Sequence, residues 1–275
     1  MKKKKGNLLL ILSIVAVLGF GGAFAYHAYE YYLWWRDGQI AQENTDMVTD
    51  IFQEQMLDIG RLFTAMPVGA GENGPEEATI VFSAAPLDEA RERTGNEDIV
   101  AYIFIEGTNI NNVIVQGRDN EFYLYRDIFR NWNVNGSIFL DYRNTPDFND
   151  FNTVVYGHNM NNGTMFHNLR YYMSRDFFEA HPNIVVILDE RVLVYEIFSV
   201  FQTRIDFDYI QVEFESRREF GALVDEITRR RVYDTGVYAT EEDRMLILST
   251  CTNVDDDTRI VVAGRLAAAI DIEQY

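Results

Sequence analysis

The 275-residue chain is long enough to bury a substantial core, and 47% hydrophobic with 14% aromatic content excludes a disordered protein. Its formal charge is -19, and all four lysines lie at 2–5, so the remainder carries 20 Arg against 43 Asp and Glu. Such an acidic surface excludes nucleic acid as a partner, because phosphates need basic contacts.

Residues 1–7 form a basic segment, and residues 8–26 (LLLILSIVAVLGFGGAFAY) carry no charge over a length that just crosses a bilayer. Aromatic side chains follow at Tyr26, Tyr29, Tyr31, Tyr32, Trp34 and Trp35, as at a membrane interface. The pattern predicts one transmembrane helix, with the N-terminus cytoplasmic and the remainder outside the cell. A cleaved signal peptide competes, since Ala23–Phe24–Ala25 resembles a cleavage site, but the apolar run exceeds the usual core of such a peptide.

Within residues 27–66, Ile40, Met47, Ile51, Phe52, Met56, Ile59 and Phe63 recur at a spacing that predicts one or two amphipathic helices. Residues 67–98 mix Gly69, Gly71, Gly74, Pro75 and Pro86 with acids, and read as an acidic linker or insertion. From 99 to 275 the pattern is mainly β, with strands at 99–105, 113–116, 137–140, 153–156, 184–188, 192–202, 245–250 and 260–266. Helices are predicted at 164–169, 174–180 and 216–229, the last opened by the capping pair Ser216 and Glu219. These lengths suit one β-rich domain, a barrel or a sandwich.

Cys251 is the sole cysteine, so it cannot form an internal disulfide. An exported thiol survives by burial or has a task. Arg259 lies eight residues on, an even separation that puts both side chains on one face of a two-stranded ribbon. A base is then required. Of four histidines, His27 sits among interfacial aromatics, His181 precedes a proline in a turn, and His167 lies on a short helix. His158 follows a strand and one glycine, at the kind of strand end where active-site groups gather. Thiolate attack, proton transfer through imidazole and oxyanion stabilisation by a cation form a coherent set. No metal or cofactor pattern is present: HExxH and CxxC are absent, and Asp255–Asp257 reads as a solvated turn rather than a calcium site.

Several separated motifs, NTVVYGHNMNNGTMF at 152–166, LSTC at 248–251, DNEFYL at 119–124, GSIFLDYRN at 136–144 and Arg259 before VVAGRL, resemble a class B sortase. The resemblance spans about 99–266. It implies a closed eight-stranded β-barrel with inserted helices, preceded by N-terminal helices and one transmembrane helix. It implies a cysteine transpeptidase that cuts a C-terminal sorting signal after Thr and passes the thioester to a cell-wall amine, from peptidoglycan or its lipid-linked precursor. Cys251 would be the nucleophile, His158 the acid/base and Arg259 the oxyanion and substrate partner. Asn120, Leu124, Ser249, Thr250 and Thr252 would meet the substrate. The family's first hydroxyl in T-L-x-T-C is replaced by Ile247. A pilin-polymerising sortase and a non-enzymatic barrel that binds surface proteins are the alternatives. A papain-like peptidase is disfavoured, because its cysteine precedes its histidine.

Overall fold

The computed structural model describes residues 2–65, 79–82, 85–251 and 257–274. Its elements are α1 (Lys2–Ala65), β1 (Thr79–Phe82), α2 (Pro86–Thr94), β2 (Ile99–Phe104), β3 (Asn111–Val115), β4 (Ile138–Leu140), β5 (Asn152–Tyr156), α3 (Arg175–Ala180), β6 (Asn183–Ile187), β7 (Arg191–Arg204), α4 (Arg217–Arg230), β8 (Met245–Cys251) and β9 (Thr258–Gln274). Short 3-10 turns occupy Phe122–Tyr125 and His167–Met173.

The chain divides into two units, Met1–Ile40 and Ala41–Tyr275. In the first, Leu12, Val17, Leu18, Phe20 and Phe24 are exposed on a helix long and apolar enough to cross a membrane. A water-facing helix would not carry such side chains all round.

In the second unit the strands run β9-β7-β6-β2-β3-β4-β5-β8, and β8 pairs again with β9, closing an eight-stranded barrel. The strands read as near-continuous apolar runs because both of their faces are covered. Ala101, Ile103, Ile114, Leu140, Val186, Leu246, Leu248 and Val262 fill the interior. Of opposite parity, Tyr102, Phe104, Val113, Val185 and Val194 pack outward against Val48, Phe52 and Ile59 of α1. Phe52 stacks on Tyr102, with ring centroids 4.0 Å apart. On another sector Val154, Met245, Ile247, Val261 and Ala263 pack under Phe220, Val224 and Ile227 of α4. The Ser216 hydroxyl caps that helix by accepting from the Glu219 amide at 3.3 Å.

Two expectations change. The segment 67–98, read as an acidic linker or insertion, contributes β1 and α2; its residues 67–78 and 83–84 lie outside the described residues. Ile80 and Phe82 are buried, and β1 pairs in parallel with the end of β9, adding a ninth strand to the barrel. α2 shows the sheet only Pro86, Leu87 and Ala90, so its remaining charged residues masked it in sequence. The helix predicted at 164–169 is instead the 3-10 turn beginning at His167.

Candidate active site

The register of three adjoining strands assembles the site. β5 and β8 are parallel, with Tyr156 opposite Ser249, so both strands run out at the same rim of the barrel. His158 and Cys251 each lie two residues beyond that pair. β8 and β9 are antiparallel, and Cys251 stands directly opposite Arg259. The even spacing thus becomes one face of one ribbon. Alternation sends Ser249, Cys251 and Arg259 outward and turns Thr250 toward the face of Leu246 and Leu248. The Thr250 hydroxyl is buried there without a hydrogen-bond partner among the described residues.

His158 is fixed from below and beside. Its Nε2 donates to the Leu124 carbonyl at 2.7 Å. A carbonyl only accepts, so in the neutral ring Nδ1 keeps the lone pair. Burial pushes the imidazole below its ordinary value of 6.5, opposed by the bond to Leu124. The Tyr125 ring lies against it, with centroids 5.7 Å apart. Behind Leu124 stands Gly136 at φ +60°, where an added Cβ would collide with the Leu124 carbonyl and approach the Tyr123 carbonyl to 2.8 Å. Between Tyr156 and His158, a Cβ on Gly157 would reach 2.9 Å from the Phe166 ring. Asn159 donates to the Cys251 carbonyl at 3.1 Å, tying the histidine loop to the end of β8.

Cys251, His158 and Arg259 line one cleft of about 380 Å³, together with Asn120, Leu124, Tyr156, Ser249 and Thr250. Arg259 is half-buried, and its Nη1 donates to the Thr258 carbonyl at 3.2 Å. In the acidic turn beside it, Asp257 pairs with Arg204 at 3.0 Å; Asp255, Asp256 and Thr252 lie outside the described residues. His167 and His181 bond instead to the Tyr171 hydroxyl and the Glu106 carbonyl.

Asn120 and Leu124 reach the cleft but are committed to scaffolding as well. Asn120 donates to Asp141 at 2.9 Å and accepts from the Tyr142 amide at 3.0 Å. Burial alone would raise the Asp141 pKa, but hydrogen bonds from Arg143, Tyr156 and Asn120 outweigh it and hold the carboxyl below its usual range. The same Arg143 donates to the Ile210 carbonyl at 2.9 Å.

Ile210 belongs to a wall that sequence reasoning missed. Ile205, Phe207, Tyr209 and Ile210, from the connection between β7 and α4, face the strand ends across the cleft. The Tyr209 hydroxyl shares a hydrogen bond with Ser249 at 2.8 Å, and burial raises its pKa. Alternation of Ile205, Phe207 and Tyr209 with Asp206 and Asp208 was the available signal of an extended, half-buried segment. Nothing in that signal said which strand ends it would face.

The description "Sortase domain" matches residues 103–267. Sortase B of Listeria monocytogenes is 37% identical over 194 residues, covering 70% of this chain and 79% of the relative. Among solved structures, the Staphylococcus aureus sortase B–substrate complex is similar at TM-score 0.65 and 27% identity, covering 83% of this chain and 93% of that one. Clostridium perfringens sortase B is similar at TM-score 0.62 and 32% identity, covering 66% and 99%. These relatives are enzymes, which leaves the non-enzymatic barrel without support.

Proposed function

The chain belongs to the sortase family, in class B, and is a cysteine transpeptidase; from that premise we propose that it cleaves a C-terminal sorting signal after Thr. The acyl group then passes to an amine of peptidoglycan or of its lipid-linked precursor. Its clients are secreted proteins. The N-terminal helix anchors it in the cell membrane, with the lysines of residues 2–5 cytoplasmic and the barrel outside.

In this reading the Cys251 sulfur attacks the Thr carbonyl while its proton passes to His158. Arg259 steadies the charge that develops on the carbonyl oxygen. An arginine suits that position because its planar, permanently charged fork gives two-point contact. His158 next gives the proton to the leaving amine, and a thioester remains on Cys251. An incoming amine reverses the sequence. Asn120, Leu124, Ser249, Thr250 and Thr252 are proposed to contact the signal peptide, and Tyr209 joins them.

The observation that carries the reading is the direct opposition of Cys251 and Arg259 on β8 and β9, beside the strand end that carries His158. The test supplies the full chain in detergent with fluorogenic peptides containing Thr sites. Cleavage after Thr in the native chain and none in Cys251→Ala is expected; full activity in Cys251→Ala would overturn it. Because burial depresses the His158 pKa, the uncharged base persists to below pH 6.5. The acid limb of kcat/KM is therefore expected under that value, and a limb centred above it would contradict the assignment of the base.

A further inference from the structure

Just beyond His158, outside the residues that line the cleft, the structure presents two large aromatic side chains to solvent. Trp132 is 66% exposed and Tyr125 is 41% exposed. Their rings are stacked, with centroids 5.4 Å apart and planes 16° from parallel. The loop that carries them is tightly bonded. The Asp127 carboxylate accepts from the Phe129 and Asn131 amides at 3.0 and 2.9 Å. The Asn133 amide donates to the Tyr125 carbonyl at 3.1 Å, and Asn96 holds the Ile128 carbonyl at 2.8 Å. A large apolar pair held exposed on a pre-ordered loop is the signature of a contact surface rather than of packing.

We infer that the Tyr125–Trp132 pair is the acceptor-side subsite, where the protonated primary amine of an incoming peptide rests before transfer. The inference deepens the transpeptidase reading and rests on it. His158 gives a proton to the leaving amine and takes one from the entering amine, so both amines occupy the same position relative to the imidazole. Whatever is attached to the amine must extend from His158 away from the filled cleft. The surface that begins there is the Tyr125 ring, 5.7 Å from the imidazole, and behind it Trp132.

The ligand chemistry follows from the protonation state of the acceptor. At neutral pH a primary amine is a cation, and indole and phenol faces attract cations placed within about 6 Å. The arginines of the same loop are engaged elsewhere: Arg126 lies 4.8 Å over Phe122, and Arg130 pairs with Asp98 at 3.1 Å. A chain of net charge -19 also concentrates cations near its surface. In the transfer, the bound ammonium loses one proton to solvent and the neutral amine attacks the thioester carbon. The C–N bond forms as the C–S bond breaks. A second proton moves from nitrogen to His158 and on to the Cys251 sulfur.

The experiment has two arms. In the first, full-length chain in detergent turns over a sorting-signal peptide with triglycine as acceptor, and transfer is measured against hydrolysis. Trp132→Ala is expected to lower the transfer-to-hydrolysis ratio about ten-fold, and Trp132→Phe to restore most of it. An unchanged ratio overturns the inference. In the second arm, triglycine is titrated into full-length Cys251→Ala while Trp132 is followed by its indole NMR signal. A shift that saturates with triglycine and is lost with N-acetyl-triglycine supports the subsite. Equal response to both peptides, or none, overturns it. This arm needs no turnover, so a failure of the sorting reading shows in the first arm alone.

Discussion

The two walls of the cleft are made differently. One is the ends of β5, β8 and β9, where Cys251, Arg259 and the approach to His158 are fixed by continuous ladders. The other runs from Ile205 to Ile210, and side-chain bonds tie it to the barrel. Asn152, fully buried, donates to the Tyr209 and Gln211 carbonyls at 3.0 and 2.8 Å; Arg143 holds Ile210, and Tyr209 meets Ser249. In the proposed mechanism the groups that move protons stand on or just beyond the ladder wall, where a small displacement is punishing. The tethered wall adds Tyr209 to the proposed substrate contacts, and it can adjust. Changes to the first wall should therefore fall on kcat, and changes to the second on KM.

The largest effect is expected from His158→Ala, which in the proposed mechanism removes the proton carrier and should lower kcat about 100- to 10,000-fold. A loss of less than ten-fold would place the base elsewhere. Next comes Gly136→Ala, a change outside the cleft lining that crowds the Leu124 carbonyl accepting from His158. Misplacement of the ring should lower kcat about ten-fold, roughly 1.4 kcal/mol of barrier, with KM little changed. A change in KM alone would show that Leu124 acts only as cleft lining.

Asn152→Ala tests the other wall. Two carbonyls lose a buried donor, which costs about 1–3 kcal/mol in all. KM is expected to rise several-fold while kcat moves less, and calorimetry should register a lower Tm, by about 2–4 °C for each kcal/mol. Equal losses in kcat would erase the distinction between the walls. The smallest effect belongs to Tyr209→Phe, which deletes one shared hydrogen bond worth about 0.5–1.5 kcal/mol. That corresponds to a rise of about two- to ten-fold in KM for the signal peptide.

The same contrast explains what could be read in advance. Cys251 and Arg259 were legible because strand alternation is a local rule: an even separation across a turn fixes a shared face. The barrel strands were legible from their β-branched runs, and the cap of α4 from Ser216 and Glu219. His158 needed more, since composition left it only the best of four histidines until the resemblance selected it. Tyr209 was illegible because its place depends on Asn152 and Arg143, which come from distant parts of the chain. β1 and α2 were hidden by the acidic, Gly- and Pro-containing composition around them. Their few inward residues, Ile80, Phe82, Leu87 and Ala90, become meaningful only against a finished sheet.

The central claim is that Cys251 carries the acyl group. The direct measurement is mass spectrometry of the full-length chain, quenched in acid during turnover of a Thr-containing signal peptide. The account predicts an adduct equal to the N-terminal fragment ending in Thr, mapped to the segment that contains Cys251 and lost on treatment with hydroxylamine. Turnover without an adduct on that segment, or an adduct attached to another residue, would contradict it.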